Sequence, residues 1–234
     1  MLESNPYASP YTVAAQPADV RATFIKKTYA HLGGAILAFA ALEYLFLNNT
    51  VMKNLGLAMM NSWWLVLIAF MGVSYIAQKW AMSGTSKGMQ YAGLGLYVVA
   101  EAIIFIPIML MASLYFEGII AQAGIITAAL FLGITAIAFI TKKDFSFLNG
   151  FLMIGGFVAL GLIFASMIFG FQLGLIFCGA MAIFASVAIL RDTSNIIHHY
   201  GTEQYVAASL GLFASVALLF WYVLQILMSL AGRD

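Results

Sequence analysis

Long apolar stretches separated by short polar segments run through almost the whole chain from about residue 28 onwards. A helix that crosses a bilayer needs about 20 mostly apolar residues, and seven stretches approach or exceed that length. The predicted spans cover residues 28–48, 63–78, 88–114, 119–140, 148–169, 173–190 and 204–230. The longest connections, 49–62 and 191–203, are expected to be loops. The pattern therefore predicts an all-α integral membrane protein with about seven transmembrane helices.

The beginning of the chain has a different character. It is polar, holds three of the four prolines, and does not resemble a cleaved signal peptide, because the first long apolar run starts only after Lys26 and Lys27. We expect residues 1–22 to form a flexible polar tail that faces solvent. Residues 23–234 are then expected to form one seven-helix transmembrane domain.

Composition supports a membrane environment and excludes a soluble globular protein. Hydrophobic residues make up 64% of the chain and charged residues only 8%, whereas soluble domains carry about 25% charged residues. The net charge of +1 gives no sign of a nucleic-acid partner. The single cysteine, Cys178, lies in an apolar run and is expected to be a buried thiol. The lipid bilayer is therefore the partner that composition predicts.

The distribution of lysine and arginine predicts the orientation. With the N-terminus in the cytoplasm, Lys53 and Arg233 lie outside and the other eight of the ten basic residues lie inside. Those eight are Arg21, Lys26, Lys27, Lys79, Lys87, Lys142, Lys143 and Arg191. Because cytoplasmic loops are enriched in basic residues, we expect a cytoplasmic N-terminus and, after seven spans, an external or periplasmic C-terminus.

The chain shows little sign of catalytic or cofactor chemistry. A Walker-type phosphate loop and a His-Glu-x-x-His zinc motif are absent, and the last span has no lysine that a retinal Schiff base would need. His198 and His199 are adjacent, so a helix would point them about 100° apart, and with His31 they form no metal signature. We read them as loop histidines. The sequence therefore predicts neither an enzyme nor a catalytic, cofactor or metal site.

Two acidic residues, Glu43 and Glu101, fall within the first and third predicted spans, and a third, Asp192, lies at the cytoplasmic end of the sixth. At 1.5 Å per residue, Glu43 and Glu101 lie roughly 20 Å from the inner face, past the midplane, with no basic residue deep enough to pair with them. Charge inside a span is costly and favours a functional hypothesis, so all three are candidate ion-path or pH-sensing residues. Other roles remain open: Glu43 near the outer end could be structural, and Asp192 beside Arg191 could form a loop ion pair or a helix cap.

Two features of the spans bear on their geometry. Pro107 removes a backbone hydrogen bond from the third span and should kink it, either beside a cavity or as a passive bend. Gly170 and Gly174 lie between the fifth and sixth spans, where they would permit a tight reversal.

Several short motifs resemble those of the Bax inhibitor-1 family. Residues 141–147, Thr-Lys-Lys-Asp-Phe-Ser-Phe, resemble the family's Thr-Lys-(Lys/Arg)-Asp-(Leu/Phe)-Ser segment between the fourth and fifth spans. Residues 192–198, Asp-Thr-Ser-Asn-Ile-Ile-His, resemble its Tyr-Asp-Thr-Gln-Lys-Ile pattern, most closely in the bacterial YccA-like branch. Residues 24–29, Phe-Ile-Lys-Lys-Thr-Tyr, fit the start of its first span. In span count and order the resemblance covers residues 21–231.

This resemblance implies a bundle of six helices around a central one, in a bacterial inner membrane. Family members are described as pH-gated cation (calcium) leak pathways, as suppressors of cell death in eukaryotes, and in bacteria as partners of a membrane-bound quality-control protease. Two hypotheses follow. The chain is either a pH-sensitive leak for calcium or protons, or a non-transporting regulator of such a protease or another membrane complex.

The resemblance also implies a pair of gating acids, and this pair is expected to be broken here. Asp192 takes the place of the first acid by motif. When the family's Ser-Leu-Tyr-Leu-Asp-Phe-Ile-Asn segment is aligned with residues 209–216, Phe213 takes the place of the second acid and Val216 that of the asparagine. A carboxylate opposite phenylalanine can neither share a proton nor hold calcium as a charged pair. Three possibilities then remain. Asp192 acts together with other oxygen atoms, Glu101 and Glu43 carry the cation flux instead, or the protein is not a calcium pathway.

Overall fold

The computed structural model describes residues 12–84 and 86–232, a part of the chain that consists almost entirely of helices. The helices are α1 Ala18–Leu47, α2 Thr50–Asn61, α3 Trp63–Ala81, α4 Lys87–Tyr115, α5 Ile119–Thr141, α6 Leu148–Phe169, α7 Gly174–His198 and α8 Tyr205–Ala231. All except α2 are long and apolar enough to cross a membrane. The predicted all-α membrane protein with seven spans is therefore confirmed.

Most basic residues lie at one end of the bundle, which we call the basic end. Four segments meet there, namely the start of α1 and the α3–α4, α5–α6 and α7–α8 connections. Lys27, Lys79, Lys87, Lys142 and Arg191 belong to these segments. The opposite end, which holds α2 and the α4–α5 and α6–α7 connections, is called the far end.

Two spans extend further than hydropathy predicts at the basic end. α1 begins at Ala18 rather than residue 28, with Asp19 in its first turn, where an acid complements the helix dipole. α7 continues past residue 190 to His198, so His198 is helical rather than part of a loop. Hydropathy detects only the apolar part of each helix, whereas the helix itself continues through its polar turns.

The predicted polar tail, residues 1–22, is only partly described. Residues 1–11 lie outside the described residues, and flexibility there stays a prediction. Thr12 forms an isolated antiparallel bridge with Gly201, and the N–H of buried Val13 donates to the Tyr200 carbonyl at 2.8 Å. This segment therefore lies against the α7–α8 connection at the basic end.

The connection 49–62, expected to be a loop, is instead mostly the helix α2. The Asn49 side chain caps it by accepting the N–H groups of Val51 at 2.9 Å and Met52 at 3.2 Å. Gly56 lies so close to α4 that a Cβ there would be 2.6 Å from Cγ2 of Ile106. A side-chain cap and a glycine at a close helix contact thus stabilise a helix too short to be detected as a span.

The predicted reversal between α6 and α7 is confirmed. Gly170 and Gly174 adopt φ angles of 72° and 66°, a left-handed conformation that glycine accepts without steric cost. The reversal is short, and α6 packs closely against α7 alone among the described helices. α6 is therefore the peripheral helix of the bundle.

α8 is the central helix. It packs against α1, α3, α4, α5 and α7, and together with α4 it carries most of the buried side chains. Tyr222 of α8 also joins a small apolar cluster with Ala159 of α6 and Cys178 of α7. This arrangement matches the central helix that the family resemblance implies. Because α6 packs against α7 and not closely against α3 or α4, the bundle is left open on that side.

Candidate functional site

A cleft of about 1220 Å³ occupies the open side of the bundle. Residues of α3 and α4 line one wall, residues of α6 and α7 line the other, and α8 forms the back. Along α7 the lining runs from Gly174 to Arg191, which is roughly 26 Å at 1.5 Å per residue. That length is close to the thickness of a bilayer core, about 30 Å. The lined length of α7 is therefore comparable with the thickness of a bilayer core.

Glu101 is the buried acid that lines this cleft. It is 6% exposed and lies at mid-length of α4, with Tyr97 one turn before it and Phe105 one turn after it on the same wall. The Tyr97 hydroxyl lies close to both the Glu101 carboxylate and Ser74. Within the described residues, no basic side chain pairs with Glu101. An acid without a counter-charge thus faces a large cavity.

Asp192 is also buried, at 6% exposure, because α7 continues beyond it. The guanidinium Nη1 of Arg191 lies 2.9 Å from its Oδ1, and the hydroxyl of Ser215 donates to its Oδ2 at 2.5 Å. Arg191 and Ser215 line the basic end of the cleft, and Asp192 lies directly behind them. Asp192 is therefore an interhelical contact of α7 with α8 as well as the partner of Arg191, rather than a loop ion pair or a cap.

Ser215 was not predicted as a functional residue. Its position changes how α8 is aligned with the family's segment that carries the second acid. Phe213 packs edge-to-face against Phe39 and Tyr97, while Ser215 meets Asp192. Phe213 and Ser215 are two positions apart on one helix, so their side chains point about 200° apart and cannot both face α7. The predicted register through Phe213 and Val216 is therefore wrong by two residues.

The shifted register rests on the contact between Ser215 and Asp192 rather than on sequence identity. The family's Ser-Leu-Tyr-Leu-Asp-Phe-Ile-Asn segment then matches residues 211–218, so that Phe213 takes the place of tyrosine and Ser215 that of the second acid. The pair still lacks its second carboxylate. A serine, however, keeps a hydrogen bond to Asp192 that phenylalanine could not make.

Glu43 is buried apart from the other two acids. It is 2% exposed, and neither of its carboxylate oxygens has a hydrogen-bond partner in the described structure. It is not among the residues that line the cleft, and its burial excludes a side chain that reaches out to the interface. The fold thus brings Glu101 and the neighbours of Asp192 to one cavity and leaves Glu43 elsewhere.

A polar contact at the basic end fastens the α5–α6 connection to α7. Nε2 of His199 lies 3.0 Å from Oδ2 of Asp144, and the N–H of Phe145 donates to the Ser194 hydroxyl at 2.9 Å. Burial opposes ionisation of Asp144, but its hydrogen bonds with His199 and Ser146 outweigh that effect and lower the pKa of Asp144. The Ser194 bond lies two residues beyond Asp192, and the His199 contact lies just after the last residue of α7.

Tyr200 closes the same region from the α7–α8 connection. Burial, and then the nearby Asp192 carboxylate, raise the pKa of Tyr200 to about 12, so its hydroxyl stays protonated. The ring packs against Phe24 with centroids 6.5 Å apart, and its carbonyl accepts the N–H of Val13. The N-terminal segment and Tyr200 therefore lie together at the basic end, with the Tyr200 side chain near Asp192.

The sequence contains a Gly-x-Ser-x-Gly pattern at residues 84–88, but the structure gives its serine another role. The hydroxyl of Ser86 accepts the N–H of Met89 at 3.3 Å and so caps α4. The motif of hydrolases lies between a strand and a helix, whereas α3 precedes this one. Across residues 12–84 and 86–232, no three His, Cys, Asp or Glu side chains converge as metal ligands.

Comparison with known proteins identifies the family. The family described as "Inhibitor of apoptosis-promoting Bax1" matches residues 21–232. The chain is similar to an uncharacterized protein of Pseudomonas aeruginosa, at 33% identity over 72% of this chain and 75% of the other. It is also similar to Bax inhibitor 1 of Schizosaccharomyces pombe, at 28% identity over 92% and 80%. The Golgi anti-apoptotic protein of vaccinia virus is 25% identical over 92% and 89%. The chain therefore belongs to the Bax inhibitor-1 family.

Proposed function

We propose that this protein is a pH-sensitive cation leak pathway whose route is the cleft and whose cation-attracting group is Glu101. The proposal rests on a carboxylate that has no basic partner among the described residues, in the wall of a cavity whose lining along α7 is about as long as a bilayer core is thick. An acid facing a hydrated cavity can attract cations and lower the electrostatic barrier to their passage. Calcium and protons are the cations that the family resemblance suggests.

The cleft also supplies a reason for slow, regulated passage. Its walls are mostly apolar and aromatic, and apolar constrictions in a pore gate by losing water. Arg191 lines the basic end, where its positive charge would repel an approaching cation. In the structure the Asp192 carboxylate lies 2.9 Å from the Arg191 guanidinium and so restrains it.

The proposed pH sensor is the Asp192 site. Its carboxylate faces Arg191 beside it, Ser215 on α8 and Tyr200 on the α7–α8 connection. Protonation of Asp192 would cancel its attraction for Arg191 and change the hydrogen bond from Ser215. Arg191 could then move away from the cleft, which couples proton binding at one end to the route beside it.

With the basic end in the cytoplasm, as the positive-inside rule expects, this sensor would respond to cytoplasmic pH. A bacterial inner membrane is the proposed location, with the N-terminus inside and the C-terminus outside. The bacterial relative and the short connections between spans support this placement.

The proposal is tested by reconstituting the protein in liposomes that contain a calcium dye. Flux is measured below and above about pH 6.5, the ordinary pKa of histidine, so that both acidic and near-neutral conditions are covered. Glu101→Gln should lower the flux, Asp192→Asn should remove most of its pH dependence, and Glu43→Gln, which alters a buried acid outside the cleft, should leave both unchanged. Parent flux no higher than that of empty liposomes would contradict the proposal.

The second candidate function is a regulator of a membrane-bound protease or another membrane complex. The observation that favours it is the serine in place of a second acid beside Asp192, since this leaves the site with a single carboxylate. The polar segment before Val13 is then the handle that a protease could grip. This candidate predicts that a large membrane protein co-purifies from native membranes with the full chain, and that liposomes show no flux.

A further inference from the structure

Aromatic side chains surround the part of the cleft that contains Glu101. Tyr97 and Phe105 flank the carboxylate on α4. Phe105 meets Trp221 edge-to-face at 4.8 Å between centroids, and Trp221 stacks on Trp63 at 5.8 Å. All five side chains line the cleft. The wall therefore joins a buried carboxylate to a continuous row of aromatic rings.

These two chemistries recognise the same kind of ligand. The faces of tryptophan, tyrosine and phenylalanine attract cations, most strongly where water is excluded. A carboxylate in the same wall adds a full opposite charge, and no basic side chain among the described residues neutralises it. Arg191, which lines the cleft further towards the basic end, is already paired with Asp192 at 2.9 Å.

The surroundings of Glu101 suit an organic cation better than a resident metal ion. Calcium requires six to eight oxygen ligands, whereas the neighbours of Glu101 on the wall are mostly rings and aliphatic side chains. The volume of about 1220 Å³ exceeds the 300–1,000 Å³ typical of pockets for drug-sized molecules. The gap between α3 and α6 opens on the side of the helix bundle, so in a bilayer an amphiphilic molecule could enter sideways.

We propose that the cleft binds lipophilic organic cations, with the charged centre at Glu101 and the apolar groups against Tyr97, Phe105, Trp221 and Trp63. The site stands on the carboxylate and the aromatic wall, so it does not depend on the proposed leak. A bound cation would occupy the route of that leak and block it.

The proposal is tested by equilibrium dialysis of the full chain in detergent micelles, with protein-free micelles as the blank. The probes are tetraphenylphosphonium and tetraphenylborate, which have nearly the same size and shape but opposite charge. The parent should bind the phosphonium saturably, quench the fluorescence of Trp63 and Trp221 as it does so, and show no saturable binding of the borate. Glu101→Gln should weaken phosphonium binding by about tenfold or more, which corresponds to about 1.4 kcal/mol.

Glu43→Gln is the matched control, because it neutralises another buried acid that does not line the cleft. It should bind the phosphonium as the parent does. Equal binding of the two probes by the parent would overturn the proposal, because the cleft would then select shape and not charge. This comparison needs no variant, so it is decisive even if a variant fails to fold. Unchanged binding in Glu101→Gln, or equal weakening in Glu43→Gln, would also overturn it. Because no ion gradient is involved, a protein without flux can still pass this test.

Discussion

Replacing Ser215 by alanine removes the hydrogen bond that it donates from the central helix to Asp192. The bond is 2.5 Å long, its donor is 8% exposed, and its acceptor is a carboxylate. A hydrogen bond to a charged group contributes about 1.5–3 kcal/mol to stability, and a neutral one about 0.5–1.5 kcal/mol. Ser215→Ala should therefore lower the free energy of unfolding by about 1.5–3 kcal/mol.

The same helix offers a matched control in Ser209. It is fully buried, but its hydroxyl donates to the carbonyl of Val206 in its own helix, at 2.7 Å. Ser209→Ala removes a neutral bond and should cost about 0.5–1.5 kcal/mol or less. Both variants are compared by equilibrium unfolding in mixed micelles with increasing amounts of a denaturing detergent.

A double-mutant cycle makes the test specific to the Asp192 carboxylate. In an Asp192→Asn background Ser215 can bond only to a neutral amide, so Ser215→Ala should cost less there than in the parent. The reasoning is refuted if Ser215→Ala costs no more than Ser209→Ala, or if its cost is the same in both backgrounds. Either result would mean that the serine is not a partner of a charged Asp192.

Two further predictions concern packing and the basic end. Gly93→Ala should destabilise the protein by about 1–3 kcal/mol, because the new Cβ would lie 2.5 Å from a backbone oxygen of α3. Gly95→Ala meets open space and should be neutral or stabilising by up to about 1 kcal/mol. Equal effects of the two variants in an unfolding titration would contradict this prediction. The pKa of Asp144 is lowered from its ordinary value of 3.8, so above pH 3.8 the ionised carboxylate should keep its contact with His199 and protect the amides of residues 142–147 from hydrogen exchange. This protection should be lost as the pH falls through the lowered pKa, because the carboxylate is then protonated. Asp144→Asn should exchange faster at neutral pH while costing at most about 1 kcal/mol, since both side chains are nearly half exposed; unchanged exchange would count against the contact.

The spans could be predicted from sequence because each must be apolar along its own length to cross the bilayer. α2 escaped prediction for the opposite reason. Its stability rests on the Asn49 cap and on the close approach of Gly56 to α4, which are properties of a short helix packed at the bundle's far end. Similarly, hydropathy does not detect the polar turns at the start of α1 and the end of α7, although hydrogen bonds continue through them.

The site could be predicted only in part. An acid in an apolar run is conspicuous, so Glu43, Glu101 and Asp192 were all identified as candidates. Which of them face a common cavity depends on how each helix is rotated, and hydropathy does not determine rotation. Glu43 and Glu101 lie at similar predicted depths, yet only Glu101 lines the cleft. Nothing in the sequence singles out Ser215, because serine is common in spans. Only the rotation of α8 decides whether Ser215 or Phe213 faces Asp192.

A role for Glu101 in cation flux through the cleft is tested most directly by comparing calcium flux in liposomes that contain the parent, Glu101→Gln or Glu43→Gln. The two variants each remove one buried carboxylate and differ in whether that carboxylate lines the cleft. We expect flux in the parent and in Glu43→Gln, and a clear reduction in Glu101→Gln. Equal flux from all three proteins, or none above empty liposomes from the parent, would contradict it.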